Sequence, residues 1–439
     1  MGGKRMYYYT MADGTLKQIN PFSGREVWCV PGRNHKPITN GIPASAKKLE
    51  REHPMAYCNF CESKYLNTPP EKARLVSTAT GGFDYLKYVP ASQINGSIAE
   101  FRRIPNLFEI VTFDYWAKNY DYHLSQANER WKKEYLSEAE GLAHVKNVLS
   151  LKLKLSGWAE ERIDGLNDDE IAVFADPFFG GGHELVVARR HYRDGAEYDS
   201  ELCASGELTP EDHYTYLKFT IDAMNDIYAN NRYVRYISVF QNWLANAGAS
   251  FDHLHKQLVA IDDWGASISR ELRLVRKNPN IYNELAVNLA AYSNRVFAEN
   301  ENAIAFAGIG HQFPTLAVFS KSAQGRPEEL SEHELKDFSD LLHACHAAAG
   351  SQISCNEEWY YTPRDSVVKM PWHVLIKWRI NTPAGFEYGT KIYINPLTPV
   401  ELRDAVVPRL YQLRDEGRIC NLHIAEECRQ ESNPLRYSR

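Results

Sequence analysis

The sequence predicts an α+β protein built as two similar halves, and three observations carry that expectation. Short strand-like runs punctuated by turn residues dominate both ends of the chain. A long stretch at 111–168 is instead rich in Glu, Lys, Ala and Leu, with apolar residues at helical spacing. The order of strands and helices then partly repeats after residue 300, as topology rather than letter by letter.

Taken in order, residues 7–40 read as short strands separated by DG, NP, PG and KP turns. Residues 50–75 read as a loop-rich segment that could hold a ligand. The 111–168 stretch is the helical excursion, and IAVFADPFFGGGHELVVARRHY is expected to return to β character, with three glycines turning into the strand HELVVA. EDHYTYLKFTIDAMNDIYANN reads as an amphipathic helix and YVRYISVFQNW as a strand. In the second half AIAFAGIG, LAVFS, WHVLIKW and GTKIYI read as strands, residues 329–350 as a helix, and residues 398–416 as a helix opened by the cap-like TPVELRD. The expected division is residues 1–265 and 266–439, joined near 265–300.

Composition excludes several classes. Fifty Lys and Arg against 56 Asp and Glu leave a net charge of −6 on 439 residues, too balanced for a protein that coats nucleic acid. No apolar run reaches the roughly 18 residues of a membrane span. MGGKRMYYYT lacks a signal peptide's hydrophobic stretch, and Met6 stands where a myristoylation signal wants Ser or Thr. A soluble, cytoplasmic protein is expected. Eight cysteines are too few for a disulfide scaffold of this length, and one close pair, Cys58 and Cys61, has a spacing used for metal ligands or for redox chemistry.

The chemistry concentrates in VFQNWLANAGASFDHLHKQLVAI, residues 239–261. In an extended strand alternate side chains share a face, so His253, His255 and Gln257 are expected to point one way. Gly248 and Ser250 precede them in AGAS, where small residues let backbone N–H groups approach an anion. Two alternating histidines alone are most often an incidental polar face, so the neighbouring residues carry the weight.

With those neighbours the segment resembles the active-site motif of the galactose-1-phosphate uridylyltransferase branch of the histidine-triad superfamily, which runs roughly F-x-N, AG-x-S, then HPHxQ. Asn242, Gly248, Ser250, His253, His255 and Gln257 fall in place, and Leu254 replaces the usual proline. VPGRNHKP at 30–37 is similar to the family's PHRAKRP-type loop, with Arg33 and Lys36 on its basic positions. CNFCESKYLNTPPE at 58–71, RRIPNLFEIV at 102–111, HELVVARRH at 183–191 and NTPAGFEYGTKIYINPLTPVEL at 381–402 resemble further family segments in the family's order. The helical stretch at 111–168 has no counterpart.

The resemblance implies two histidine-triad-like halves, each an antiparallel sheet with packed helices, plus the helical insertion. It implies a double displacement in which His255 attacks the α-phosphorus of a nucleoside diphosphate sugar and holds the nucleotide as a phosphoramidate until a second phosphate removes it. Gln257 replaces the third histidine of the superfamily's hydrolases, and an amide can bond a phosphate but cannot act as a base, which favours transfer over hydrolysis. Ser250, Asn242 and the amides around Gly248 would hold phosphates, Arg33 would meet the anionic acceptor, Lys36 would bind substrate from its basic position, and Asn106 would meet the nucleoside and Glu387 the hexose. Cys58, Cys61, His253 and one further histidine, His191 in preference to His183, would make a structural zinc site, closed by its four ligands. A homodimer is implied in the same way.

Departures limit the transfer of specificity: Leu107 beside the base-binding asparagine, Asn381, Tyr393, and Pro371 with His373 where relatives have a metal-binding histidine pair. The leading expectation is a nucleotidylyltransferase working between a nucleoside diphosphate sugar and a sugar 1-phosphate. The alternatives are a phosphorylase of the same fold acting on an ADP-sugar or dinucleoside polyphosphate, and an inactive zinc-bearing nucleotide-binding module.

Overall fold

The computed structural model describes residues 6–33, 43, 45–49, 57–429 and 431–438. Twelve strands form one continuous sheet, antiparallel at every pairing. In spatial order they are His423–Ile424, Val296–Glu299, Ala303–Ala307, Thr315–Ser320, His373–Trp378, Cys355–Tyr360, Tyr236–Trp243, His255–Ile261, His183–Ala188, Phe101–Pro105, Ala73–Ser77 and Phe83–Lys87. Six precede residue 265 and six follow it. The sheets of the two halves therefore merge, at a seam that sets Asn356 opposite Asn242 and Glu357 opposite Gln241.

Helices cover one face. Pro210–Asn230 starts where the Thr209 hydroxyl accepts from the Asp212 N–H and Pro210 takes the first turn, where no N–H is needed. Glu332–Ala349 starts with a Ser331/Glu334 capping box. The first buries one face and the second most of its length, and His213 Nδ1 lies 2.8 Å from Ser339 Oγ between them. Under them Lys256 bonds Glu357 at 2.5 Å, with both side chains fully buried. Because side chains alternate along a strand, Lys256 on this covered face leaves His255 and Gln257 on the other.

The helical excursion runs further than its composition suggests. Helices occupy Phe113–Tyr120, Gln126–Ser137, Ala139–Leu155 and Glu160–Asp164, then continue through Asp168–Phe174 and Asp176–Gly180. IAVFADPFFGG, read from sequence as β, is thus helical up to Gly180. Asn167 and Glu170 form a capping box that nucleates a helix, and Pro177 falls in the first turn of the next one. The strand begins only at His183. Likewise GTKIYI splits, with Gly385–Thr390 helical and Ile392–Ile394 extended.

The N-terminal strands Tyr8–Thr10, Leu16–Ile19 and Glu26–Cys29 do not join the large sheet. They pair with one another and, in parallel, with Ile392–Ile394, so the start of the chain packs on the C-terminal half. Asn20 Nδ2 donates to the Ile309 carbonyl at 2.9 Å. The approach is close enough that a Cβ at Gly310, whose φ is +63°, would stand 2.1 Å from the Asn20 nitrogen.

Candidate functional site

On the face opposite the long helices, the centre of the sheet opens into a cavity of about 570 Å³. His183, Asn242, Gly248, Ser250, His255 and Gln257 line it, with Asn106 and Leu107 from the loop after Phe101–Pro105. Pairing puts Val187 beside His255, Leu185 beside Gln257 and Phe240 beside Gln257, which gathers one face of three strands into one wall.

Hydrogen bonds fix how each polar group presents itself. His255 Nδ1 lies 2.7 Å from the His253 carbonyl and so carries the proton it donates there, which leaves Nε2 with its lone pair. Burial holds this imidazole neutral, with its pKa lowered to about 4. His183 Nδ1 accepts from the Ile110 N–H at 3.1 Å, so its Nε2 carries the proton and donates to Gln257 Oε1 at 3.1 Å, with Asn106 Nδ2 also 3.0 Å from that nitrogen. With its oxygen occupied, Gln257 is left with its NH2 group as a donor. Asn242 is treated the same way from the other half: its Oδ1 accepts from Asn356 Nδ2 at 2.7 Å. Asn356 also donates to the Ala247 carbonyl at 2.8 Å and accepts from Arg379 Nη1 at 2.7 Å, which sets the orientation of its amide. The cavity therefore offers two amide NH2 groups, a hydroxyl and a neutral imidazole, a set of donors and a nucleophile suited to phosphate oxygens.

The loop between Asn242 and Ser250 is held in an unusual backbone. Gly248 sits at φ +86° with open space where a Cβ would be, and Leu244, at φ +65°, adopts a conformation that L-residues rarely take. Asn356 pins this loop from across the seam.

Beside the cavity, Cys58, Cys61, His191 and His253 bring their ligand atoms within 4.8 Å of one another. The sulfurs are 3.9 Å apart, Cys58 Sγ lies 3.5 and 3.4 Å from the Nδ1 atoms of His191 and His253, and Cys61 Sγ lies 3.7 and 3.9 Å from them. A tetrahedral zinc with bonds of about 2.3 Å to sulfur and about 2.0 Å to nitrogen requires edges of roughly 3.5–3.8 Å, so the residues fit that ion. His253 Nε2 donates to the Ala188 carbonyl at 2.6 Å, which frees Nδ1 for a metal. Between the two candidate histidines the geometry selects His191, because His183 is engaged with Ile110 and Gln257. His253 precedes its strand, which starts at His255, so it turns toward the cysteines while His255 faces the cavity. Phe60, inside the Cys58–Cys61 turn, packs edge-on against His255 at 5.3 Å and ties the two sites together.

Two expected residues, Arg33 and Glu387, do not line the cavity. Arg33 is exposed and does not line the cavity, and Lys36 lies outside the described residues. Glu387 accepts from the Ala384 N–H at 2.8 Å in its own short helix, remote from the cavity lining, between Phe386 and Tyr388 at 48% and 60% exposure.

Sequence reasoning missed His183 as a cavity residue and Asn356. Leu151 and Leu155 of the helix Ala139–Leu155 line the cavity. The insertion is anchored at the rim, where His144 Nε2 donates to the Thr68 carbonyl at 2.8 Å, and at the far strand end, where Tyr115 and Tyr120 both donate to Asp262. The signal for His183 was its position opening the HELVVA strand. For Asn356 no signal existed before the seam was known.

Comparison with known proteins follows this geometry. A family described as a domain of unknown function, DUF4921, matches residues 11–437. The curated ADP-glucose phosphorylase of Arabidopsis thaliana is 24% identical over 178 residues, 38% of this chain and 50% of that protein, so the alignment spans half of the relative's length. The crystal structure of an ADP-glucose phosphorylase from Arabidopsis thaliana with bound ADP-glucose superposes with a TM-score of 0.54 at 18% identity, covering 90% of this chain and 98% of that one. A GalT-like protein from the same plant gives 0.52 at 17% identity, covering 89% and 98%. No helix among the described residues is long and apolar enough to cross a membrane. The chain belongs to the DUF4921 family and carries the two-half α+β fold of the galactose-1-phosphate uridylyltransferase-like proteins.

Proposed function

We propose that this protein is a nucleotidylyltransferase that moves a nucleoside monophosphate from a nucleoside diphosphate sugar to a phosphate acceptor through a covalent nucleotidyl-histidine. The observation that carries this reading is His255, whose Nδ1 proton is committed to the His253 carbonyl while the Nε2 lone pair is free beside the amide donors of Gln257 and Asn242. Nε2 attacks the α-phosphorus, the bond from that phosphorus to the bridging oxygen breaks, and the sugar 1-phosphate leaves. An oxygen of the second phosphate then attacks the same phosphorus, the N–P bond breaks, and His255 is restored. Gln257, Asn242 and Ser250, on the loop that turns at Gly248, act by positioning and by neutralising phosphate charge. Gln257 supplies no base to activate water, so the adduct waits for a phosphate.

An ADP-sugar donor with inorganic phosphate as acceptor is supported by the relatives named as ADP-glucose phosphorylases. Hexose 1-phosphate as acceptor, with a UDP-sugar donor, is the second reading. It calls on Glu387, which would reach a cavity only from a neighbouring subunit in a homodimer. Residues 1–265 supply the reacting groups in either case, and Asn106 with Leu107, Leu151 and Leu155 would hold the nucleoside. A zinc ion on Cys58, Cys61, His191 and His253 would be structural, fixing the chain that leads into His255.

The test is intact-protein mass after brief incubation with ADP-, UDP- and GDP-sugars separately, without acceptor. An added nucleoside monophosphate that is absent in His255→Ala is the expected result, and its mass names the base. Nucleotide binding with no adduct from any donor would point instead to an inactive binding module.

A further inference from the structure

The C-terminal half contains a second cavity, of about 140 Å³, between its strands and the N-terminal segment. Its floor is the strand pair Thr315–Ser320 and His373–Trp378, and its lip is the turn Asn20–Arg25. Arg295 reaches into it and is 1% exposed. Its Nε donates to Ser293 Oγ at 2.8 Å and its Nη1 to the Ala307 carbonyl at 2.6 Å. Among the described residues no carboxylate pairs with the guanidinium. A buried cation without a counter-charge is among the most expensive arrangements in a protein interior, and it implies an anion that belongs there.

The surroundings agree. Arg25, His311, His373 and Lys377 line the same cavity, and His311 is held toward its neutral form first by burial and then by the charges of Lys377, Arg25, His373 and Arg295. His373 is held as His255 is, with Nδ1 2.9 Å from the Pro371 carbonyl, so its Nε2 is free of that bond. Two carboxyls stand nearby. Glu358 is taken by Lys377 at 2.5 Å and by Tyr360 at 2.6 Å, and Glu271, bonded by the Tyr282 hydroxyl, is pushed by burial up to about 7. Neither compensates Arg295. The site is also shaped: a Cβ at Gly308 would stand 2.7 Å from the His311 ring, so the glycine seats that imidazole.

We propose that this cavity binds a phosphate-type oxyanion, held by Arg295 and Arg25, at a place distinct from the cavity at His255. The volume suits one tetrahedral anion with a few waters, at roughly 30 Å³ per water. The source is free phosphate or the phosphoryl group of a monoester, which share this chemistry. The site stands whether or not nucleotidyl transfer is the activity of the first cavity.

Two measurements on the full chain test it. In crystals soaked with tungstate, an anomalous peak is expected between Arg295 and Arg25, in addition to any at His255. By equilibrium dialysis with radiolabelled inorganic phosphate, Arg295→Gln is expected to lose one phosphate per chain and Arg25→Ala, on the lip where folding is less at stake, to weaken that phosphate at least tenfold, while His255→Ala retains it. Displacement by glucose 1-phosphate would name a monoester as occupant, and failure to displace would name free phosphate, both in keeping with the site. No tungstate peak in this cavity, or wild-type phosphate binding by Arg25→Ala and Arg295→Gln, would overturn the proposal.

Discussion

His255 and His373 open the corresponding strands of the two halves, and each donates Nδ1 to the carbonyl two residues before it, at 2.7 and 2.9 Å. Burial lowers both imidazoles to about 4. What surrounds them differs. His255 has the amide of Gln257 two residues on and the Cys58/Cys61/His191/His253 cluster behind it, and it faces a cavity of about 570 Å³. His373 has Leu375 two residues on and Pro371 in place of a ligand, and its ring is stacked between Phe319 at 4.3 Å and Tyr360 at 5.1 Å. The same backbone device thus holds a neutral imidazole in both halves, but only the first sets an amide two residues from it and gives it a cavity with room for a nucleotide. The lesson is that the strand fixes the tautomer, while the neighbours decide whether the nitrogen can react.

The strongest way to break this comparison is to remove each ring in turn. His255→Ala should lower the rate of nucleotidyl transfer by about 10,000-fold or more, as for other nucleophile deletions. His373→Ala should leave it within about threefold, as expected of a distant site that does not react. Steady-state assay of ADP-glucose with phosphate checks both, and equal losses would erase the distinction between the halves.

Next in size are two ion pairs that share the strand Cys355–Tyr360. Lys256–Glu357 is fully buried on the helix-covered face, whereas Lys377–Glu358 is 14% and 31% exposed on the other. Lys256 and His346 hold the Glu357 carboxyl well below the usual range against the cost of its burial. Lys256→Met should therefore destabilise the fold by about 3–5 kcal/mol, by stranding that charge. Lys377→Met should cost about 1 kcal/mol or less. Urea denaturation of the two variants gives the ranking.

A third contrast is in pH. Burial raises Glu109, next to the first cavity, from its ordinary 4.5 to about 7. Between those values the folded protein holds a proton that the unfolded chain releases, so this contribution is complete below pH 4.5 and declines until about pH 7. The decline amounts to about 3 kcal/mol. Glu109→Gln should remove it, which denaturation midpoints at pH 5 and pH 8 would register as a smaller drop than in the parent protein. Burial of His183 acts with the opposite sign, since its pKa is lowered to about 4 and its contribution is lost as pH falls from 6.5 through 4.

The smallest effect expected is across the seam. Asn356→Ala removes the donor to Asn242 and Ala247, and should raise KM for the nucleotide sugar about tenfold with less effect on kcat, as befits two hydrogen bonds of roughly 1 kcal/mol or less each. A fall in kcat alone would instead place Asn356 nearer the reacting atoms.

Much of the first site was legible because its parts are local. Gln257 stands two residues from His255, the Cys58–Cys61 spacing makes one tight turn, and Gly248 and Ser250 fall within seven residues of His255. The helical reading of residues 111–168 was legible from spacing, and failed after 168 because IAVFADPFFGG is apolar enough for a strand while its caps, Asn167 and Pro177, are helical. The sequence by itself determined the strand that presents His255, the tight turn that pairs Cys58 with Cys61, and the choice of an amide at Gln257. These depend on residue type and on spacings of two and three. Tertiary structure alone decided that His191 rather than His183 joins the cysteines, that His183 and Asn356 turn two amide groups toward the cavity, that Leu151 and Leu155 reach its wall, and that the turn Asn20–Arg25 closes over Arg295 in the opposite half. Each of these joins positions tens to hundreds of residues apart, and such pairings are set by how the sheet closes and packs, which no local periodicity records.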